Sequence, residues 1–185
     1  MRTTPILRAL RDARGVTLGE LLVVVAIIGL ILAGVFTLQI QAQWAYMMGA
    51  ARVETQQTAR LALDRLMGEL RLASAVTSAP NCNNAANGGT SISFTWTSPI
   101  TAASETVTYA LSSANLQRTD TAGTQTLIGG VQTLNIWCYL SDGVTLTATA
   151  ANVVSVKVQI TTQDETIAAQ KQHAVVQSQV RLRNL

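Results

Sequence analysis

The stretch GVTLGELLVVVAIIGLILAGVF, residues 15–36, decides how the rest of the chain is read. From Leu21 to Leu38 there are 18 residues without a charge. As a helix that run spans roughly 27 Å, close to a bilayer hydrocarbon core of about 30 Å. Glu20 stands directly before it. A carboxylate at the mouth of an apolar segment is costly unless a positive group offsets its charge.

Three readings of the segment compete. The core helix of a soluble protein needs other apolar segments to surround it, and none elsewhere in the chain is apolar enough. A cleaved secretory signal peptide would explain the arginines ahead of the run, but it needs a small-residue cleavage site behind it. The following TLQIQAQWAYMM, residues 37–48, offers none, and Glu20 stays unexplained. A permanent membrane helix with a short cytoplasmic leader makes Gly15 and Glu20 informative together. If the chain is cut after Gly15, Val16 becomes the new amino terminus, just over one helical turn from Glu20. A helix N-terminus is electropositive and favours an acid. A neighbouring subunit's amine would be a second source of counter-charge.

The chain has 185 residues, room for one domain of ordinary size plus an extra segment. Its mean hydropathy is +0.28, with the apolar excess concentrated between Leu21 and Leu38. The net charge of +3 is an N-terminal property. Residues 1–15 carry Arg2, Arg8, Arg11 and Arg14 against Asp12, and the rest has nine basic and nine acidic residues. No Lys/Arg stripe or aromatic platform follows that would track phosphates, so no direct nucleic-acid site is evident. A short basic segment before an apolar run is a topology signal, with positive residues kept cytoplasmic.

Gly15-Val16-Thr17-Leu18-Gly19-Glu20-Leu21 resembles the cleavage and methylation motif of type IV prepilins and type II secretion pseudopilins. Val16 stands where phenylalanine is usual, and Gly19 where a larger apolar residue is usual. The resemblance implies an inner-membrane prepilin peptidase that cuts between Gly15 and Val16 and methylates Val16. It also implies that Glu20 sets register between subunits in a filament.

Helical signals continue past Leu38. From Gln39 to Ala75 there is no proline, and Ala59, Leu63, Leu66, Leu70 and Ala73 mark one amphipathic face. Arg60 with Asp64, and Arg65 with Glu69, form i,i+4 pairs on the other sides. One long helix is therefore expected from Thr17 to about Ala75. Thr37 occupies the place where many major pilins carry a kinking proline. Residues 58–75, TARLALDRLMGELRLASA, are similar to the second half of this helix in PilW-type minor pilins and J-type pseudopilins.

After the loop-like SAPNCNNAANGG, residues 78–89, the apolar period changes to two. Ile92, Phe94 and Trp96 alternate with polar residues, as do Val107, Tyr109 and Leu111. Leu134, Ile136, Cys138 and Leu140 follow, then Val154, Val156, Val158 and Ile160, and Val180 with Leu182. This is the half-buried antiparallel pattern. Gly129-Gly130 and Asp142-Gly143 mark turns. Helix first and strands after gives an α+β class. Residues 107–139 again resemble the PilW and J-type group, through Tyr109, Leu116, Arg118, Val131, Leu134, Ile136 and Tyr139. The expected fold is pilin-like: a long helix packed on a C-terminal antiparallel β domain. Its divisions are a cleaved cytoplasmic leader (1–15), a transmembrane or filament-core helix (16–38), its amphipathic continuation (39–76), a loop (77–90) and a β-rich domain (91–185).

Cys82 and Cys138 are the only cysteines, in the part that would face an oxidising compartment. A disulfide there would stabilise by about 4 kcal/mol in the chain-entropy view. The alternative is two free thiols, with Cys138 packed as a small hydrophobe. Two cysteines and the distant His173 lack zinc-ligand spacing, so no metal is expected. Nothing in sequence places a serine and an aspartate around His173, so it reads as a surface or strand residue. Asp164-Glu165 reads as a solvated turn between strands, with weak calcium binding as the alternative, and Gly88-Gly89 and Gly129-Gly130 read as turns. No phosphate loop, cofactor site or catalytic constellation is legible, and the chain is not expected to be an enzyme.

The resemblance thus implies a minor pilin or pseudopilin that assembles into, or primes the tip of, a type IV pilus or type II secretion pseudopilus. Its partners would be other such subunits, the prepilin peptidase and an inner-membrane assembly platform. The competing expectation is a single-pass anchored binding module, an adhesin or DNA-uptake receptor, that never enters a filament.

Overall fold

A computed structural model describes residues 15–97, 103–164 and 172–183. The leader arginines and Asp12 lie outside these residues. The element order is α1 (Leu18–Leu72), β1 (Ala73–Ser78), β2 (Ser91–Thr97), β3 (Ser104–Ser112), β4 (Asn115–Asp120), β5 (Gly123–Ile128), β6 (Val131–Tyr139), β7 (Ser155–Asp164) and β8 (Gln172–Arg181). The chain is an α+β protein with one long N-terminal helix, and it divides into two compact units between Met47 and Met48.

In the first unit α1 is apolar all round. Leu22, Val23, Val24 and Val25, about a quarter-turn apart, lie on different sides of it and are all exposed. Such a helix finds no water-facing side and suits lipid or a shell of other apolar helices. It is long and apolar enough to cross a membrane once. The Thr37 hydroxyl donates to the Gly34 carbonyl at 2.8 Å, which satisfies the one side-chain hydroxyl of the run within the helix itself.

In the second unit α1 becomes amphipathic and packs on the β domain. Ala59, Leu63, Leu66 and Leu70, spaced four, three and four apart, are buried, and Ala62 and Met67 widen the stripe. Ala62, Leu63, Leu66, Met67 and Leu70 join a core with Phe94, Val107, Tyr109, Leu116, Leu134, Ile136 and Val158. Five strands form an antiparallel sheet in the order β1-β2-β3-β4-β5, and three more form a second in the order β6-β7-β8. Alternation decides the faces: Ile92 and Phe94 in β2, and Val156, Val158 and Ile160 in β7, are fully buried. Phe94 and Tyr109 stack with ring centroids 6.0 Å apart.

The helix ends at Leu72, earlier than the apolar spacing predicts, and Ala73–Ser78 is strand β1. Ala73 is buried, as its place on the stripe requires, but in a strand. β1 pairs with β2 through two register irregularities, so its buried residues fall at Ala73 and Val76, three apart. That spacing continues the helical rhythm. The loop is correspondingly shorter, running from Ala79 to Thr90.

This loop stitches the two sheets together. Gly89 and Ile136 exchange backbone hydrogen bonds of 2.7 and 2.9 Å, and the Cys138 amide donates to the Cys82 carbonyl at 3.1 Å. On the other side the Leu111 amide donates to the Thr90 carbonyl at 3.1 Å. Cys82 and Cys138 are joined by a disulfide, with Cα atoms 5.3 Å apart. The loop thereby covers the free edge of β6, which would otherwise present unpaired backbone groups.

Candidate functional site

The motif residues sit where the helix begins. Gly15, Val16 and Thr17 precede α1 and are exposed, so the Gly15–Val16 peptide bond lies outside the helical ladder. Thr17 is the N-cap. Its hydroxyl accepts from the Glu20 amide at 3.3 Å. The Glu20 carboxylate reaches back, accepting from the Thr17 amide at 3.0 Å and the Thr17 hydroxyl at 3.1 Å. The Leu21 amide closes the first turn on the Thr17 carbonyl at 3.2 Å. This is a capping box, two orphan donors satisfied reciprocally. Its sequence signature, Thr-x-x-Glu, is present at residues 17–20. The resemblance to a cleavage motif explains Glu20 by a partner molecule and passes over this local role. The box itself involves only residues 17–21, all C-terminal to the Gly15–Val16 bond.

A second polar cluster holds the amphipathic half of α1 to the five-stranded sheet. Glu69 pairs with Arg65 at 3.6 Å, the i,i+4 contact the sequence predicts. Its stronger partners are on the sheet. The Tyr109 hydroxyl donates to Glu69 at 2.9 Å, and the Arg118 Nε donates to both carboxylate oxygens at 3.1 and 3.0 Å. Arg118 also donates to Asp120 and lies 5.9 Å from the Trp96 ring. Burial raises the Tyr109 pKa well above its ordinary value, and the neighbouring Glu69 charge adds to that. Burial works against the Arg118 charge, but hydrogen bonds to Glu69 and Asp120 outweigh it and raise its pKa. Arg118 in turn holds Asp120 below the usual carboxylate range, helped by the Ala122 amide. Every charge in the cluster has a partner, as buried charge requires. On β4 Leu116 and Arg118, two positions apart, both face inward, so the arginine needs an acid opposite.

The remaining candidates stay apart. His173 is exposed on β8, opposite Gln163. Asp164 ends β7, and Glu165 lies outside the described residues. The Gly129-Gly130 turn joins β5 to β6. Among the described residues, no three His, Cys, Asp or Glu side chains gather as metal ligands would. No protein-family model and no curated protein matches this chain.

Proposed function

We propose that this chain is a pilin-like structural subunit, a minor pilin or pseudopilin that is inserted in a membrane by α1 and then assembled into a filament or its tip. The observation that carries the reading is the junction at residues 15–21. An exposed Gly-Val bond is followed at once by a capped helix start, a glutamate and an uncharged, fully exposed apolar run. Such a run needs a cover. The bilayer provides one before assembly, and the helices of other subunits provide one after it. The leader, residues 1–15, holds the basic excess and stays cytoplasmic, while the β domain lies across the membrane. A prepilin peptidase removes the leader and methylates Val16, and an inner-membrane platform extracts the subunit. Glu20 then meets the amine of a neighbouring subunit, which favours one axial register over others.

Glutamine retains the capping geometry of glutamate but not its charge. Glu20→Ala and Glu20→Gln separate the two roles. Leader removal is expected in both. Incorporation into sheared filaments is expected to fall more than about tenfold in both, since an amine buried without its carboxylate costs several kcal/mol. Wild-type incorporation of Glu20→Gln would reduce Glu20 to a helix cap, and wild-type incorporation of Glu20→Ala would overturn its part in assembly.

A further inference from the structure

We propose that Trp44 and Tyr46 form the outer lipid-headgroup anchor of α1 in the membrane-resident subunit, and so fix the depth of the helix. The inference rests on the membrane-span reading and adds a specific contact to it. After Glu20 the next charged residue is Arg52. Leu21 to Ala51 is thus uncharged, and 31 helical residues rise about 46 Å. That length is too great for the hydrocarbon core alone. It matches the full bilayer, about 40–45 Å with its polar interfaces.

The residue types divide that length in the same way. About 20 residues from Leu21 fill the hydrocarbon and end near Ile40. Polar Gln39, Gln41 and Gln43 begin there, and the only aromatic residues between Phe36 and Phe94 follow at Trp44 and Tyr46. Their Cα positions lie roughly 6 and 9 Å beyond Ile40. Helical side chains lean toward the helix N-terminus, which here is toward the membrane. Both rings are thereby drawn back to the headgroup level. Trp44 continues the stripe of Phe36 and Ile40 at spacings of four, and Tyr46 shares a side with Gln39 and Gln43. Both rings are exposed, Trp44 to 49% and Tyr46 to 78%. An amphipathic ring with one wet and one apolar end is the side chain that prefers this boundary.

The test is tryptophan fluorescence of the full chain in phosphatidylethanolamine/phosphatidylglycerol vesicles. The Trp44 signal is the difference between wild type and Trp44→Phe, which leaves Trp96 and Trp137 common to both. Lipids brominated near the headgroup end of the acyl chain are compared with lipids brominated near the methyl end. Flotation of the vesicles reports insertion separately. The expected result is a chain that floats with its vesicles and a Trp44 signal quenched at least about twofold more by the shallow bromines. A floating chain whose Trp44 signal is untouched by either lipid, or is quenched more by the deep bromines, overturns the anchor while leaving the span intact. A chain that does not float overturns the span and the anchor together.

Discussion

Glu69 accepts from Tyr109 and Arg118 and pairs with Arg65 at once, and the energetics of the helix–sheet contact turn on it. Glu69→Ala strands a buried guanidinium and a buried hydroxyl. Breaking such a pair costs about 3 kcal/mol, the low end of the range because Asp120 still holds Arg118. Denaturant unfolding of the full chain in detergent checks it. Tyr109 adds a pH dependence whose sign is fixed by its raised pKa. Above the ordinary tyrosine value of 10.0 the unfolded chain loses this proton while the folded chain keeps it. Unfolding then releases protons, so stability falls as pH rises through and beyond 10. The unfolding midpoint of wild type is expected to drop in that window, and that of Tyr109→Phe to drop less. Asp120 acts at the other end: its pKa is lowered, so its contribution is present above its ordinary 3.8 and is lost as pH falls. Little of this cluster was legible in the sequence. An i,i+4 spacing identifies Arg65 as a neighbour of Glu69, but no local pattern reports that β4 brings Arg118 beneath it.

At the scale of elements, strands β2, β3, β6, β7 and β8 announce themselves by alternation, whereas β1, β4 and β5 do not. β1 hides because its irregular pairing gives a period of three. β5 is exposed along most of its length and carries no inward apolar set. The β3–β4 hairpin hides because its turn breaks the usual residue rule. Ser113 and Ala114 both adopt positive φ, 47° and 62°, in a two-residue turn between the paired Ser112 and Asn115. A turn of that kind prefers Asn-Gly, so no turn signal appears in the sequence. Ala114→Gly is therefore expected to stabilise the fold by about 1 kcal/mol, the cost of a left-handed non-glycine residue less the entropy of glycine. Gly88→Ala is expected to do the opposite by a larger amount. Gly88 has φ of 62°, and an added Cβ would lie 2.6 Å from the Ile136 carbonyl oxygen, where the loop meets β6. Thermal melts of the two variants should move in opposite directions.

At the scale of the molecule, the α+β class and the buried helix stripe were readable because both rest on repeated apolar spacing. The helix start is readable only in part: the family resemblance accounts for Glu20 by a distant partner, whereas the Thr-x-x-Glu spacing alone carries its contact with Thr17. The order of the strands and the stitching of the loop to β6 depend on long-range pairing, which no local pattern contains. The central claim is that the chain is a processed filament subunit, and it rests on the bond between Gly15 and Val16. Intact-mass and N-terminal analysis of the full-length protein, expressed with a prepilin peptidase and recovered from membranes, tests it most directly. The expected product begins at Val16 and carries one methyl group on its amine. A product that retains residues 1–15, or is cut at any other bond, would contradict the account.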